Sequence, residues 1–339
     1  MLDIFELQKK LAAVAMPSGF EKPQAELLAE LARPFVDEVF TDTLGNVICH
    51  KKGPGKKVMI PAHMDVIGLM ITFVDDRGFL RFEEIGGHRP YQLIGQTVRL
   101  ESGVCGSIWP DADAGLDEKA LSALDSHDFY IDIGASSREE AEKLAPIGSV
   151  CVFDATTQRI AGGNILTPYA DDLTGCIALL LAMEQIRQPK NDLYFVFTVQ
   201  EEVGLRGAVP AAFRIQPDLG IAVDVCSTGD NPELEGFERN RVRIGAGPAI
   251  KIKDGAMQTN RQALLLLRKV AEQAGIPYQN EIMLRGGTDA RAMQKSRALV
   301  LSGAISIPCR NIHGQGEIVN LQDVELTGKL IAALAENEI

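Results

Sequence analysis

Leu193-Tyr194-Phe195-Val196-Phe197-Thr198-Val199-Gln200-Glu201-Glu202-Val203-Gly204 decides the fold. The run from Leu193 to Val199 carries no charge and then meets two adjacent acids and a glycine. An apolar run of this length reads as a strand covered on both faces. Acids placed directly behind such a strand are costly to desolvate unless a positive charge compensates them. In a regular strand their side chains would point opposite ways. Gly204 permits a bend that brings both to one place. A solvated loop is the alternative reading of the same residues.

The pattern repeats on both sides of this stretch. Lys57–Ala62 reads as a short buried strand running into His63. Leu219–Val223 is another, running into Asp224. Helices are expected at about 174–186, 258–274 and from 321, with strands near 278–283 and at Ala298–Ser302. Such alternation predicts a sheet covered by helices. Helices at 3–14 and 22–33, broken by Pro17-Ser18-Gly19, and strands at 37–41 and 46–50 precede it.

Between about 70 and 160 the texture changes. Short β-type segments (Leu69–Val74, Gly78–Phe82, Thr97–Leu100, Gly148–Phe153) alternate with Gly, Asp and Pro. Segment 111–145 is polar and reads as an exposed loop with a short helix. The expected architecture is an α/β domain of residues 1–67 and 161–339, interrupted by a β-rich domain of residues 68–160.

Composition narrows the function. The chain has 339 residues, enough for a sizeable core, and a formal net charge of −12. An acidic balance argues against nucleic acid and against anionic membranes. The six cysteines form no Cys-x-x-Cys pair and read as small buried residues of a reducing, cytoplasmic setting. Asp3, Glu6 and Lys9-Lys10 do not fit a signal peptide. No apolar run is long enough to span a membrane.

Five positions at predicted strand ends and junctions could bind metal: His63, Asp171, Glu202, Asp224 and His313. Each has a plain structural reading alone. His63 could be a satisfied structural histidine, and Asp171-Asp172 could cap the helix that follows. Together they are two imidazoles and three carboxylates. That set suits two zinc or cobalt ions bridged by one carboxylate. It leaves Glu201 as a general base, and Asp65, two residues after His63, to fix the imidazole.

The motifs Pro17-Ser18-Gly19-Phe20-Glu21, Ala62-His63-Met64-Asp65, Asp171-Asp172, Gln200-Glu201-Glu202-Val203-Gly204-Leu205-Arg206-Gly207, Gly286-Gly287-Thr288-Asp289 and Ile312-His313 occur in one order along nearly the whole chain. In them the sequence resembles the tetrahedral, glutamyl-aminopeptidase-type family of dinuclear metallo-aminopeptidases. The resemblance implies a three-layer α/β/α mixed-sheet catalytic domain with an inserted small β-barrel-like domain used for dimerisation and assembly. It implies one metal on His63, Asp171 and Asp224 and a second on Asp171, Glu202 and His313. Glu201 would activate a water bridging the metals, and Asp65 would orient His63. Substrates would be peptides with a free N-terminus. The partners would be other copies of the chain, as dimers assembling to a dodecamer. A cis peptide between Asp171 and Asp172 is also implied. Leu173, where relatives usually carry Arg, and Gly314-Gln315, where they usually carry Ser-Pro, depart from the pattern. Other readings are a carboxypeptidase or deacylase with the same metal chemistry, a glycoside hydrolase, and an inactive assembly scaffold.

Overall fold

A computed structural model describes residues 2–111, 124–232, 242–297 and 300–339. The chain opens with helices α1 (Ile4–Ala13) and α2 (Lys22–Ala32), then strands β1 (Glu38–Thr41), β2 (Val47–Lys51) and β3 (Lys57–His63). The next six strands are β4 (Gly68–Val74), β5 (Leu80–Ile85), β6 (Thr97–Leu100), β7 (Cys105–Pro110), β8 (Phe129–Asp132) and β9 (Val150–Phe153), with the short helix α3 (Arg138–Leu144) before β9. They close on themselves in the order β4-β5-β8-β7-β6-β9. Closure leaves no free strand edge, and Phe82, Ile108, Phe129, Ile131 and Val152 are buried.

The chain then runs through β10 (Gln158–Arg159), β11 (Asn164–Thr167), α4 (Ala170–Gln185), β12 (Asp192–Thr198), α5 (Ala208–Ile215) and β13 (Leu219–Ser227). It ends with β14 (Ala249–Lys253), α6 (Arg261–Gln273), β15 (Gln279–Ile282), α7 (Asp289–Gln294), β16 (Leu301–Arg310), β17 (Glu317–Asn320) and α8 (Leu321–Ala335). The large sheet has the order β1-β2-β12-β3-β13-β16-β17-β11-β10, with β14 and β15 branching from β16. Its centre is parallel: β12 pairs with β3, β3 with β13, and β13 with β16. The outer pairs are antiparallel, so the sheet is mixed.

Alternation along the central strands explains the layers. Val58, Ile60, Phe195, Phe197, Ile221 and Val223 belong to one apolar cluster with α1, α2, α4 and α8. Met59, Val196 and Ala222, the residues between, belong to another with α5 and α7. Successive side chains of a strand face opposite ways, so strands buried on both faces need apolar residues throughout. α4 is buried from Ala170 to Met183 and packs against α8. Gly328 permits that approach, since an added Cβ would stand 2.8 Å from the Leu181 Cβ.

The structure departs from the sequence reading in several places. β8 lies inside the polar segment expected to hold only a loop and a short helix, and that helix is α3. The rest of that expectation, 112–123, lies outside the described residues. β7, β14, α5 and α7 were unforeseen because each is short; α5 has no side-chain cap, and the Thr288 cap of α7 opens a helix of only six residues. The strand expected at 298–302 is β16, displaced to Leu301–Arg310, and residues 298–299 lie outside the described residues. Gln8, an imperfect match to the apolar stripe of α1, is buried and donates to Thr167 Oγ1 at 3.2 Å. All six cysteines are free, and Cys105 is exposed where burial was expected. It stands at the start of β7, on the barrel surface. No described helix is long and apolar enough to cross a membrane.

Candidate metal centre

Parallel strands bring their C-terminal ends to one edge, which is where open α/β sheets place their sites. Here His63 ends β3 beside Thr198, the last residue of β12. Asp224 lies on β13 with its side chain at the same edge. Asp171 enters from the start of α4, where the Asp171–Asp172 peptide is cis, as the resemblance implied. Both residues depart from helical φ/ψ there.

Glu201 and Glu202 follow β12 in a tight turn, not an extended strand. Gln200 and Leu205 have φ of 55° and 59°, and Gly204 has φ of 117°. The Glu201 carbonyl accepts the amides of Gly204 and Leu205, each at 2.9 Å. Three successive amides of this turn are held by acids from elsewhere. Gln200 N donates to Glu21 Oε1 at 3.0 Å, Glu201 N to Asp65 Oδ1 at 3.0 Å, and Glu202 N to Asp65 Oδ2 at 3.1 Å. Ser18 Oγ adds a 2.6 Å bond to Asp65 Oδ2. Asp65 therefore differs from its expected role. The His63 Nδ1 partner is the backbone carbonyl of Asp65 at 3.0 Å, while the carboxylate stands 3.7 Å away.

The structure brings all five expected ligand types together. Asp171 lies between the imidazoles, with Oδ1 3.0 Å from His63 Nε2 and Oδ2 3.3 Å from His313 Nε2. Asp224 Oδ1 and Glu201 Oε2 each lie 4.0 Å from His63 Nε2. Glu202 Oε1 lies 3.2 Å from His313 Nε2. Two groups, His63-Asp171-Asp224 and Asp171-Glu202-His313, each place one ligand atom per residue within 4.8 Å of the others. They share Asp171.

The electrostatics match a cation site. Burial pushes the Glu201 and Asp224 carboxyls well above the ordinary carboxylate range, and His63 only partly offsets this. Burial opposes charge on His63 as well, but Glu201 and Asp171 outweigh it and hold its pKa well above the usual value. His313 is likewise penalised by burial and is pushed up to about 12 by Asp171 and Glu202. Asp171 is held low because its two imidazole partners overcome its burial. The buried acids thus favour positive charge on both imidazoles, and divalent cations would supply that charge more fully.

A cavity of about 390 Å³ opens on this cluster, lined by His63, Asp171, Glu201, Asp224, Lys251 and His313 among others. Lys251 Nζ is buried and bonds Glu281 Oε1 at 2.5 Å. A larger groove, about 850 Å³, lies beside α1 and α8 and holds none of these residues. Sequence reasoning did not find Ser18, Glu21, Lys251 or Glu317 as parts of the site. Ser18 and Glu21 stand in a quoted motif, but their partners at the site, the Asp65 carboxylate and the Gln200 amide, are more than 40 residues away.

A family model described as M42 glutamyl aminopeptidase matches residues 45–330. The lysyl aminopeptidase of Pyrococcus furiosus is 38% identical, over 98% of this chain and 96% of its own. The solved aminopeptidase APDkam598 of Desulfurococcus kamchatkensis is 37% identical, with a TM-score of 0.94 over 98% of this chain and 94% of its own. The Pyrococcus horikoshii TET1 peptidase, which can assemble into a tetrahedron or a large octahedral shell, is 32% identical. Its TM-score is 0.87 over 98% of this chain and 99% of its own.

Proposed function

The chain belongs to the M42 glutamyl aminopeptidase family and is a metal-dependent aminopeptidase, and from that premise we propose how its residues divide the work. His63, Asp171 and Asp224 would hold one divalent cation, and Asp171, Glu202 and His313 a second, each zinc or cobalt. The observation that carries this reading is the Asp171 carboxylate, which gives one oxygen to each imidazole. When bound, the cations would polarise the scissile carbonyl and lower the pKa of the attacking water.

Glu201 is the general base. Its carboxylate faces the same space as His63 Nε2, and its backbone is fixed by Asp65. It takes a proton from the water during attack and passes it to the leaving amine. Asp65 acts through the turn that carries Glu201 and Glu202. The cavity receives the N-terminal residue of a peptide, and Lys251, neutralised by Glu281, forms part of its wall. The catalytic domain comprises residues 1–67 and 161–339, and residues 68–160 form an inserted domain for dimerisation. Dimers would assemble to a dodecamer in the cytoplasm.

The test is a panel of aminoacyl-anilides, free and N-acetylated, with chelator-stripped protein and re-added zinc or cobalt. Metal-dependent release from the free series alone is expected. Release from the acetylated series would reassign the chain to a deacylase or endopeptidase. No release with any metal would favour the inactive scaffold.

A further inference from the structure

We infer that Glu317 is a positioning residue that sets the second metal-binding group by holding the backbones of two of its ligands at once. This rests on the two-cation reading above. Glu317 Oε1 accepts the amide of His313 at 2.7 Å, and Glu317 Oε2 accepts the amide of Asp171 at 2.9 Å. The side chain is buried, with 2% of the residue exposed. Among the described residues neither oxygen bonds a side chain, so Glu317 acts on where the two ligand-bearing backbones stand.

The fold explains why one acid reaches both. Glu317 begins β17, and it pairs with Thr167, the last residue of β11. β11 leads directly into the turn that carries Asp171. On its other edge β17 pairs with the end of β16, and the connection between them carries His313. β17 thus lies between the two chain segments that supply these ligands. Its first side chain ties them together.

The His313 backbone also needs such a tie. His313 has φ of 65° and Asn311 φ of 60°, a left-handed conformation uncommon outside glycine, though Asn and His enter it more readily than most residues. Gly314 adds no side chain after His313, and the Gln315 side chain turns away to donate to the Asp154 carbonyl at 3.1 Å. Glu317 supplies the fixed acceptor instead. Outer partners that fix ligand orientation typically change metal affinity by about 10–100-fold when removed.

Glu317→Gln keeps the size of the side chain but turns an N–H2 toward one of the two amides. A stepwise cobalt(II) titration of the chelator-stripped chain, followed by visible absorption and by metal analysis after dialysis, separates the two sites. The expected result is two ions on the native chain and, in Glu317→Gln, about a 10–100-fold loss of affinity at one site. The other site, which shares only Asp171 with Glu317, loses less. Equal loss at both sites with a matching fall in metal-free melting temperature would mean that Glu317 supports the fold only, and would overturn the assignment. Two ions with unchanged affinities would also overturn it. A native chain that binds fewer than two ions would overturn the two-cation reading, and this assignment with it. Should Glu317→Gln not fold, Glu317→Asp, one methylene shorter, is judged by the same readings.

Discussion

The Asp65 carboxylate receives the backbone amide of Glu201 at 3.0 Å, while its own backbone carbonyl faces the His63 ring. Asp65 is wholly buried and also binds the Glu202 amide and the Ser18 hydroxyl. Asp65→Asn places an N–H2 group against an amide donor. The expected cost is about 1–3 kcal/mol of stability, from a buried donor left unpaired. Turnover should fall by about 10–100-fold as the turn shifts. A denaturant midpoint and kcat with KM on one anilide check both. A KM rise with kcat unchanged would place Asp65 in substrate binding instead.

Glu201→Gln separates the base from the ligands. Glu201 belongs to neither of the two ligand groups, so the stripped variant should still take up metal. Its turnover should fall by about 10²–10⁴-fold, the usual range for a lost general base. Metal analysis and kcat on the same preparation measure this. Near-normal turnover would move the base role to another group.

How much of this was legible beforehand depends on whether the signal was local. The strand from Leu193 and the acids behind it were readable because an uncharged run and a desolvated pair of acids conflict unless a site resolves them. β3 running into His63 and β13 running into Asp224 were readable for the same reason. The bend at Glu201–Glu202 was anticipated from Gly204, but Gln200 and Leu205 also adopt left-handed backbone, which residue type does not announce. The hold of the Asp65 carboxylate on the turn was not legible because its partners are amides of residues 136 and 137 positions further on. Glu317 was missed because it looks like an ordinary acid opening a short strand. Its importance lies in β17 standing between β11 and β16, a fact of topology.

Gly175 is fixed by its neighbours. An added Cβ would overlap both carboxylate oxygens of Asp172. Asp172 is fully buried, accepts the Gly175 amide at 3.1 Å and reaches the His63 amide at 3.3 Å. Gly175→Ala must push that carboxylate away from the His63 backbone. The expected loss is about 1–3 kcal/mol, as for other overpacked core sites. Metal uptake should weaken with it. A urea titration and a metal titration of the variant are the measurements, and an unchanged midpoint would mean that α4 shifts freely to admit the methyl.

The metal-free chain should lose stability as pH rises, and bound metal should reverse the trend. Burial raises Glu201 and Asp224, whose ordinary values are 4.5 and 3.8. Against the cost of burial, Asp171 and Glu202 raise His313 from 6.5 to about 12. All three bind a proton more tightly folded than unfolded. Their stabilisation is complete below the unfolded values and is lost as pH climbs toward the folded ones. Asp171 is shifted the other way, so its contribution is lost only in acid, below its ordinary 3.8. Between about pH 6 and about pH 9 the first group governs, through His313 above all. Metal binding must displace these protons, so affinity should rise over the same interval. Melting temperatures of stripped and zinc-loaded protein across that range are the check. The expected curves diverge with pH, the stripped one falling. A stripped curve that rises would mean that His313 is not the protonated partner of Asp171 and Glu202.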